Sequence, residues 1–278
     1  MLVPLMNATF MRRITPPHAS DTTRKARRAL LRPAALAAAA LGLGGCATPG
    51  PLHLYTVSAA SPATVSDSGG DATPTFLAAG ETLLGLAYDP FTDYFFLRLA
   101  PGDRFRVVDR PARAVKREFS VPALAAAPLR AGDLAIRPRD GHLFAAHPTA
   151  PAVVELNRFG QLVRTLPLAT HSVPPSALAF DTVRDHLLAL GGDSGPRPRV
   201  TTHDPAGAVL STVVLDRAVT PTSLAYDSVK RELYAPLADE PALGVFDDQG
   251  RLLRALPFGT PATAPFLDVG PRSFLRLY

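Results

Sequence analysis

Short apolar segments recur along the chain at a nearly constant interval. The phrase Leu86-Ala87-Tyr88-Asp89 returns as Leu178-Ala179-Phe180-Asp181 and as Leu224-Ala225-Tyr226-Asp227, and weaker copies begin at Leu134 and Leu267. The leading leucines are separated by 48, 44, 46 and 43 residues. A period of this length is typical of a β-propeller, in which each repeat supplies one four-stranded blade.

Each repeat divides into four short strands, a to d, separated by turns rich in Pro, Gly and Asp. Apolar and polar residues alternate poorly within them, as expected for blades that stack face to face and bury both sides of each sheet. The predicted strands are 84–88, 94–99, 105–108 and 115–119 in the first repeat, 133–136, 142–146, 153–156 and 162–168 in the second, 177–180, 186–190, 200–203 and 209–215 in the third, and 223–226, 232–235, 244–246 and 252–256 in the fourth.

The last repeat is incomplete at the C-terminus. Residues 266–269 and 273–278 match strands a and b, and residues 52–57 and 75–78 near the N-terminus are predicted to be strands c and d. The two chain ends would complete one shared blade and leave no open edge in the ring. The sequence therefore predicts an all-β fold, a single five-bladed propeller over residues 52–278, with six blades as the alternative. Residues 59–74, rich in Ser, Gly and Pro, are expected to form a long flexible loop.

The repeat unit combines Leu-Ala-aromatic-Asp, a following apolar strand and then Val-(Phe/Val)-Asp, as at Val107-Val108-Asp109. This unit resembles the repeats of NHL-like and YncE-like propellers of bacterial envelopes. Those families include scaffolds, sugar or peptide binders and some hydrolases, so the resemblance implies a fold and no single activity. The second copy departs from the pattern, with Arg137-Pro138 in place of aromatic-Asp, and five blades are fewer than the six or seven of these families.

The first 45 residues have the organisation of an export signal. A basic block from Arg24 to Arg32 precedes an apolar stretch at 34–43 that is too short to span a bilayer. Leu43-Gly44-Gly45-Cys46 resembles the lipobox of bacterial lipoproteins, in which signal peptidase II cuts before the cysteine and the new N-terminus is lipid-modified. We expect residues 1–45 to be the signal peptide, Cys46 to carry the lipid and residues 46–51 to be a linker, with an ordinary secretory signal as the alternative. Ala47 favours the outer membrane, facing the periplasm, by resemblance to lipoproteins of diderm bacteria.

The basic character of the chain belongs to this leader. The 278 residues carry a formal charge of +5, but seven Lys or Arg residues and a single Asp precede Cys46, so the remainder carries −1. Acidic and basic residues are interspersed along that remainder, whereas a nucleic-acid binder clusters its basic side chains on one face. We therefore expect no nucleic-acid partner. Cys46 is the only cysteine, so an intrachain disulfide is impossible.

Asp89, Asp181 and Asp227 end strand a in three repeats. A carboxylate at that position can accept backbone N–H groups and fix the a–b turn. We favour this structural role over a cation site, because acids that occur once per blade are separated by whole blades. The histidines after Cys46 show no ligand-like spacing, so the sequence predicts no metal and no cofactor.

Two short motifs resemble those of trypsin-like serine proteases. They are Gly192-Asp193-Ser194-Gly195-Pro196, with one glycine missing, and Ala145-Ala146-His147. Ser194 and His147 are only 47 residues apart, too close for a triad Asp and a two-barrel fold between them. In a propeller both motifs fall on b–c loops of adjacent blades. A Gly/Pro-rich loop is the favoured interpretation, and Ser194 with His147 as its base is the sharper hypothesis.

The b–c and d–a loops form the rim that propellers commonly use for binding. The ligand-binding candidates in these loops are Asp103, Arg104, His147, His171, Asp193, Arg197, Arg217, Asp239 and Glu240. The leading hypothesis is a non-enzymatic, lipid-anchored envelope propeller that binds a protein or a small polar molecule. The alternative is a propeller hydrolase of lactonase or esterase type with a cation in the central tunnel, which is disfavoured because strand a consists mostly of Leu, Ala and Gly. A structural subunit of an envelope assembly is a third hypothesis.

Overall fold

Five four-stranded antiparallel sheets make up the fold. The structure is a computed structural model, and it describes residues 51–100, 103–124, 133–191, 197–258 and 265–272. In chain order the strands are β1 (Leu52–Val57), β2 (Thr64–Asp67), β3 (Ala72–Pro74), β4 (Thr82–Asp89), β5 (Tyr94–Ala100), β6 (Arg104–Asp109), β7 (Ala114–Ser120), β8 (Leu134–Arg137), β9 (His142–Ala146), β10 (Ala152–Leu156), β11 (Leu162–Pro167), β12 (Ala177–Asp181), β13 (His186–Leu190), β14 (Arg199–His203), β15 (Val209–Val214), β16 (Ala225–Asp227), β17 (Glu232–Pro236), β18 (Ala242–Phe246), β19 (Leu252–Pro257) and β20 (Phe266–Pro271). Among these described residues no helix has the length and apolarity needed to cross a membrane.

The sheets are the blades of a propeller. Blade 1 is β4-β5-β6-β7, blade 2 is β8-β9-β10-β11, blade 3 is β12-β13-β14-β15, blade 4 is β16-β17-β18-β19, and blade 5 is β20-β1-β2-β3. The first strand of each blade is the innermost, because β4, β8, β12, β16 and β20 contact one another in a closed ring. The all-β fold and the count of five blades are confirmed, and the six-bladed alternative is wrong.

The blades are held together by apolar side chains on both faces of their inner strands. Every residue of β5 is buried, whereas the outer strand β7 is mostly exposed. Between blades 2 and 3, Phe144 stacks on Phe180 with ring centroids 5.5 Å apart. Burial on both faces removes the alternation that a sheet with one wet face would show.

The aspartates that end strand a fix the a–b turns as predicted. The Oδ1 atoms of Asp89, Asp181 and Asp227 each accept the backbone N–H two residues further on, at 2.9, 3.0 and 2.9 Å. Each carboxylate therefore satisfies turn amides that strand pairing leaves over.

Both chain ends contribute to blade 5, but in a different division from the predicted one. Residues 52–57 pair directly with β20, from Leu52 opposite Pro271 to Val57 opposite Phe266, so they form strand b and not strand c. Strands c and d are β2 and β3, inside the segment predicted to be a flexible loop, and residues 75–78 are not a strand. Residues 273–278 lie outside the described part of the chain. The Ser/Gly-rich composition concealed β2, whose Val65 and Asp67 are buried in alternation with exposed neighbours.

Ion pairs reinforce the closure of the ring. Arg272, which follows β20, donates from Nε to Asp67 Oδ2 of β2 at 2.9 Å. Arg110 of blade 1 donates from Nη1 to Asp71 Oδ2 of blade 5 at 3.1 Å. The N-terminal strands are therefore tied both to the C-terminal strand and to the neighbouring blade.

Candidate functional site

A cavity of about 180 Å³ opens at the centre of the ring, and all five blades line it. We call it the central funnel. Its walls are formed mainly by residues at and just after the ends of the innermost strands: Tyr88 and Pro90 of blade 1, Ala135, Ile136 and Pro138 of blade 2, Phe180, Thr182 and Val183 of blade 3, Tyr226, Asp227, Ser228 and Val229 of blade 4, and Leu52 with Asp268, Val269, Gly270 and Pro271 of blade 5.

The chain direction determines which face of the disc the funnel opens on. In a four-stranded meander the a–b and c–d turns share one face, and the b–c and d–a connections share the other. The funnel is lined by residues that follow strand a, such as Pro90 and Thr182, so it opens on the face of the a–b turns. The predicted rim of b–c and d–a loops lies on the opposite face.

Asp268 is the acidic residue of β20 that lines the funnel. It occupies the place in the repeat that Ala87, Ala179 and Ala225 occupy in other blades. Its Oδ2 accepts the backbone N–H of Tyr88 at 2.6 Å and its Oδ1 accepts that of Val269 at 2.7 Å. Burial raises the pKa of Asp268 to about 7, although these two N–H donors favour the ionised form. The funnel thus contains a carboxyl group that titrates near neutral pH.

Asp133 lies next to the axis at the start of β8 and is fully buried. It accepts the backbone N–H groups of Leu86 at 3.4 Å and Leu224 at 2.9 Å, and the hydroxyl of Ser223 donates to its Oδ2. Ser223, also fully buried, accepts the N–H of Leu267 at 3.0 Å. Asp133 and Ser223 therefore link the innermost strands of blades 1, 2, 4 and 5, and their burial keeps solvent from the axis at this level.

The inner edges of these strands explain the need for such residues. The innermost strand of a blade has a neighbour on one side only, so its N–H groups on the axial side must find other acceptors. Leu86, Tyr88, Leu224 and Leu267 donate such N–H groups to Asp133, Asp268 or Ser223. Burial raises the pKa of Asp133 well above its usual range, and the nearby charge of Asp268 adds to the rise. The two carboxyl groups thus favour a state in which at least one carries a proton.

Sequence reasoning missed Asp133, Ser223 and Asp268 as a group. The available signal was the repeat itself. Asp268 stands where the other repeats have alanine, and Asp133 precedes Leu134 where the third repeat has Ala177. A polar residue at a position where other repeats have Ala or Gly indicates an axial contact.

The rim candidates take part in local contacts. The exposed Arg217 pairs with Asp239 at 2.7 Å and with Glu240 at 3.3 Å, so these three come together. Asp103 accepts from Nε of the buried Arg98 at 2.7 Å, and Arg104 pairs with Glu81. The remaining candidates are Arg197, which is exposed, and Asp193, which lies outside the described residues together with Ser194.

The two histidine candidates have structural partners. His147 Nδ1 lies 3.2 Å from the N–H of Thr149 and 3.0 Å from that of Ala150, so it caps its own loop. His171 is buried, with Nε2 2.7 Å from Thr201 Oγ1, and Thr201 Oγ1 lies 2.8 Å from His203 Nε2. Ligand binding by the rim residues stays a prediction from the sequence.

The enzymatic alternative requires several acids or amides near the axis. Among the described residues, the carboxyl groups of Asp133 and Asp268 lie there and that of Asp227 lines the funnel, and all three are bonded to backbone N–H groups. In the same part of the chain, no group of three or more His, Cys, Asp or Glu side chains could hold a metal ion.

Comparison with known proteins supports the fold. No family model matches the sequence, and no curated protein matches it. A chain in the crystal structure of a nidogen/laminin complex superposes with a TM-score of 0.54 at 11% identity, over 80% of this chain and 100% of that one. A glutaminyl cyclase from Myxococcus xanthus has a TM-score of 0.46 at 15% identity, over 62% of this chain and 68% of that one. A streptogramin B lyase has a TM-score of 0.44 at 13% identity, over 75% of this chain and 60% of that one. The likeness to the nidogen/laminin chain, at 11% identity, supports the fold alone and shows nothing of the activity.

Proposed function

We propose that this protein is a lipid-anchored binding module of the bacterial envelope, and that its central funnel is the binding site. The observation that carries the proposal is the funnel itself, an apolar cavity built by all five blades with the Asp268 carboxyl among its lining groups. A concave apolar surface with a few placed polar groups is the usual form of a ligand site.

The size of the funnel limits what it accepts. Its volume of about 180 Å³ is close to that of the roughly 150 Å³ cavity that binds benzene in another protein. The bound group is therefore no larger than an aromatic or branched side chain, belonging either to a small molecule or to a protein partner. Asp268 adds a preference for an apolar group that carries a hydrogen-bond donor, since its carboxyl oxygens are acceptors when ionised.

Benzylamine and toluene are matched probes for this site, because both have the size of the funnel and only benzylamine has a donor. We expect benzylamine to bind saturably, as measured by calorimetry or by NMR shifts of funnel residues such as Val183. Asp268→Asn should lower the affinity for benzylamine by about tenfold, which corresponds to the loss of one hydrogen bond to a charged group. The affinity for toluene should not change. Asp239→Asn, which removes an exposed carboxylate, is the control. Absence of saturable binding by either probe would refute the funnel as the site.

The anchor is tested separately. Cys46 stands at the end of the signal-like leader, and a lipid there would hold the propeller at a membrane surface, facing the periplasm if the outer membrane is the destination. We expect radiolabelled palmitate to be incorporated into the full-length protein, Cys46→Ser to abolish labelling, and globomycin to cause the unprocessed precursor to accumulate. A protein that remains unlabelled in cells that label other lipoproteins would contradict the anchor.

A further inference from the structure

Blades 1 to 4, which are continuous in sequence, share a β-bulge between strands c and d. The strand d residue beside the bulge is the same in three of these blades and differs in one. The bulge lies between the two outer strands of each of these blades. The pairs immediately before it are Val107 with Arg117, Glu155 with Arg164, Thr202 with Ser211, and Val245 with Arg254. Blades 1, 2 and 4 therefore carry an arginine where blade 3 carries Ser211.

We call the interface between two adjacent blades a seam. In two seams this arginine donates a hydrogen bond to the next blade. Arg117 donates from Nη2 to the backbone carbonyl of Arg158, and Arg164 donates from Nη2 to that of Pro205. Both acceptors are the second residue of the next blade's c–d turn, a place that Asp248 occupies in blade 4. An arginine at position 211 would accordingly face the carbonyl of Asp248. Arg254 instead pairs with Glu232 of its own blade, at 2.8 Å.

The seam between blades 3 and 4 contains an open groove of about 620 Å³. Leu188, Thr202 and Ser211 line its blade 3 wall. The corresponding residues of blade 2 are the larger Phe144, Glu155 and Arg164. Phe144 and Arg164 contact Phe180 and Pro205 of blade 3. Blade 3 therefore has smaller side chains than blade 2 at these three positions, and the groove is the space that larger side chains would occupy.

The charges around the groove oppose a cation less than those of the seam between blades 1 and 2, because both carboxylates and both arginines of the groove are joined in ion pairs. In the seam between blades 1 and 2, burial and the charge of Arg158 lower the pKa of Arg117. The groove has the carboxylate of Asp248 at the place of Arg158. The two arginines that line the groove are already paired, Arg231 with Asp248 and Arg184 with Asp181 at 2.9 Å.

The strand that borders the groove is open to pairing. β15 is the outer edge of blade 3, and its sequence Val-Leu-Ser-Thr-Val-Val has no charged residue, whereas β7, β11 and β19 each contain at least one arginine. Charged residues on edge strands discourage the addition of a foreign strand, and an edge without them can accept one. We propose that the groove binds an arginine side chain presented by an extended segment of a partner protein that lies along β15.

The test uses a labelled peptide, acetyl-Val-Thr-Arg-Thr-Val-amide, and the same peptide with citrulline in place of arginine, titrated into the full-length protein and followed by fluorescence anisotropy. We expect saturable binding of the arginine peptide and binding of the citrulline peptide weaker by about tenfold, because citrulline is nearly isosteric but uncharged. Ser211→Arg, which supplies the missing guanidinium from within the chain, should lower the affinity for the arginine peptide by at least about tenfold as well. Thr165→Arg adds the same charge to the exposed face of β11 and should change nothing.

The proposal is overturned if the arginine peptide shows no saturation at millimolar concentration, if citrulline binds equally well, or if Ser211→Arg leaves binding intact. The melting temperature gives an independent measurement. Ser211→Arg should not lower it, since an arginine fits the corresponding seams, and a misfolded or strongly destabilised variant would contradict the claim that the groove accepts this side chain. Tyr226 lines both the groove and the central funnel, but Ser211 lines the groove alone, so these results are distinguishable from those for the funnel.

Discussion

Asp133→Ala should destabilise the propeller more than any surface change, because it removes an acceptor shared by three blades. In the variant, the N–H groups of Leu86 and Leu224 lose their partner at a fully buried site, while the Ser223 hydroxyl can turn to the carbonyl of Leu267 at 3.2 Å. An unsatisfied buried group costs roughly 1–3 kcal/mol, and the Leu86 bond is long, so the expected loss is about 2–4 kcal/mol.

The companion variant Asp133→Asn keeps one oxygen for Leu224 and Ser223 but places its NH2 group, which cannot accept, against the N–H of Leu86. Only the long Leu86 bond is then lost, so we expect a smaller loss of about 1 kcal/mol. Urea unfolding with both fluorescence and circular dichroism gives the two values at constant m-value. Burial raises the pKa of Asp133, so its contribution is complete at low pH and falls as pH rises through the folded-state pKa. The difference in the free energy of unfolding between Asp133→Ala and the wild type should therefore increase as pH falls. A loss below about 1 kcal/mol for Ala, or equal losses for Ala and Asn, would refute the bridging role.

Three further changes test other parts of the structure. Because burial raises the pKa of Asp268 to about 7, its contribution to the free energy of unfolding declines as pH rises from 4 to above 7. The free energy of unfolding of Asp268→Asn, measured in urea, should therefore rise relative to that of the wild type over this range, by at most about 4 kcal/mol. A difference that stays constant with pH would contradict this. Burial lowers the pKa of His203, so its contribution is lost as pH falls below 6.5, and thermal melts of His203→Gln should decline less than wild type between pH 7 and pH 5. Gly250→Ala should cost about 1–3 kcal/mol more than Gly70→Ala: both glycines have positive φ, but only the Gly250 Cβ would strike the carbonyl oxygen of Val214; equal losses would argue against this close approach.

The repeat made the architecture predictable from the residues. Period, turn residues and strand length together predicted the sixteen-strand pattern of blades 1 to 4, because each blade repeats the same local structure. Blade 5 was assigned less well because it is assembled from opposite ends of the chain, where no contiguous repeat exists to align. The direct pairing of Leu54 with Val269 is a long-range contact that local pattern does not encode.

The candidate site was predicted less well than the fold. Charged residues in loops attracted attention, yet several of them, such as Asp103 with Arg98, are engaged in pairs that local sequence does not reveal. The axial residues Asp133 and Asp268 lie within or beside strands, and their significance depends on which strand edges face the axis. Only the assembled ring shows that two acids 135 residues apart come close enough for one to raise the pKa of the other.

The closure of the ring by β1 and β20 underlies the funnel, because Asp268 is on β20 and the axis is enclosed only when the last blade is complete. The backbone N–H and C=O of Leu54 both bond to Ser68, which follows β2, and are therefore directed away from β20. Leu54 and Val269 thus form a non-hydrogen-bonded pair, and the Cα atoms of such pairs are about 4.5 Å apart. The most direct measurement is disulfide formation in the double variant Leu54→Cys with Val269→Cys, in a Cys46→Ser background and read by mass spectrometry. We predict efficient intramolecular oxidation for this pair and none for Leu54→Cys with Val214→Cys, which places the second cysteine on the outer strand of blade 3. A protein that folds but leaves cysteines 54 and 269 reduced would contradict the closed five-bladed ring.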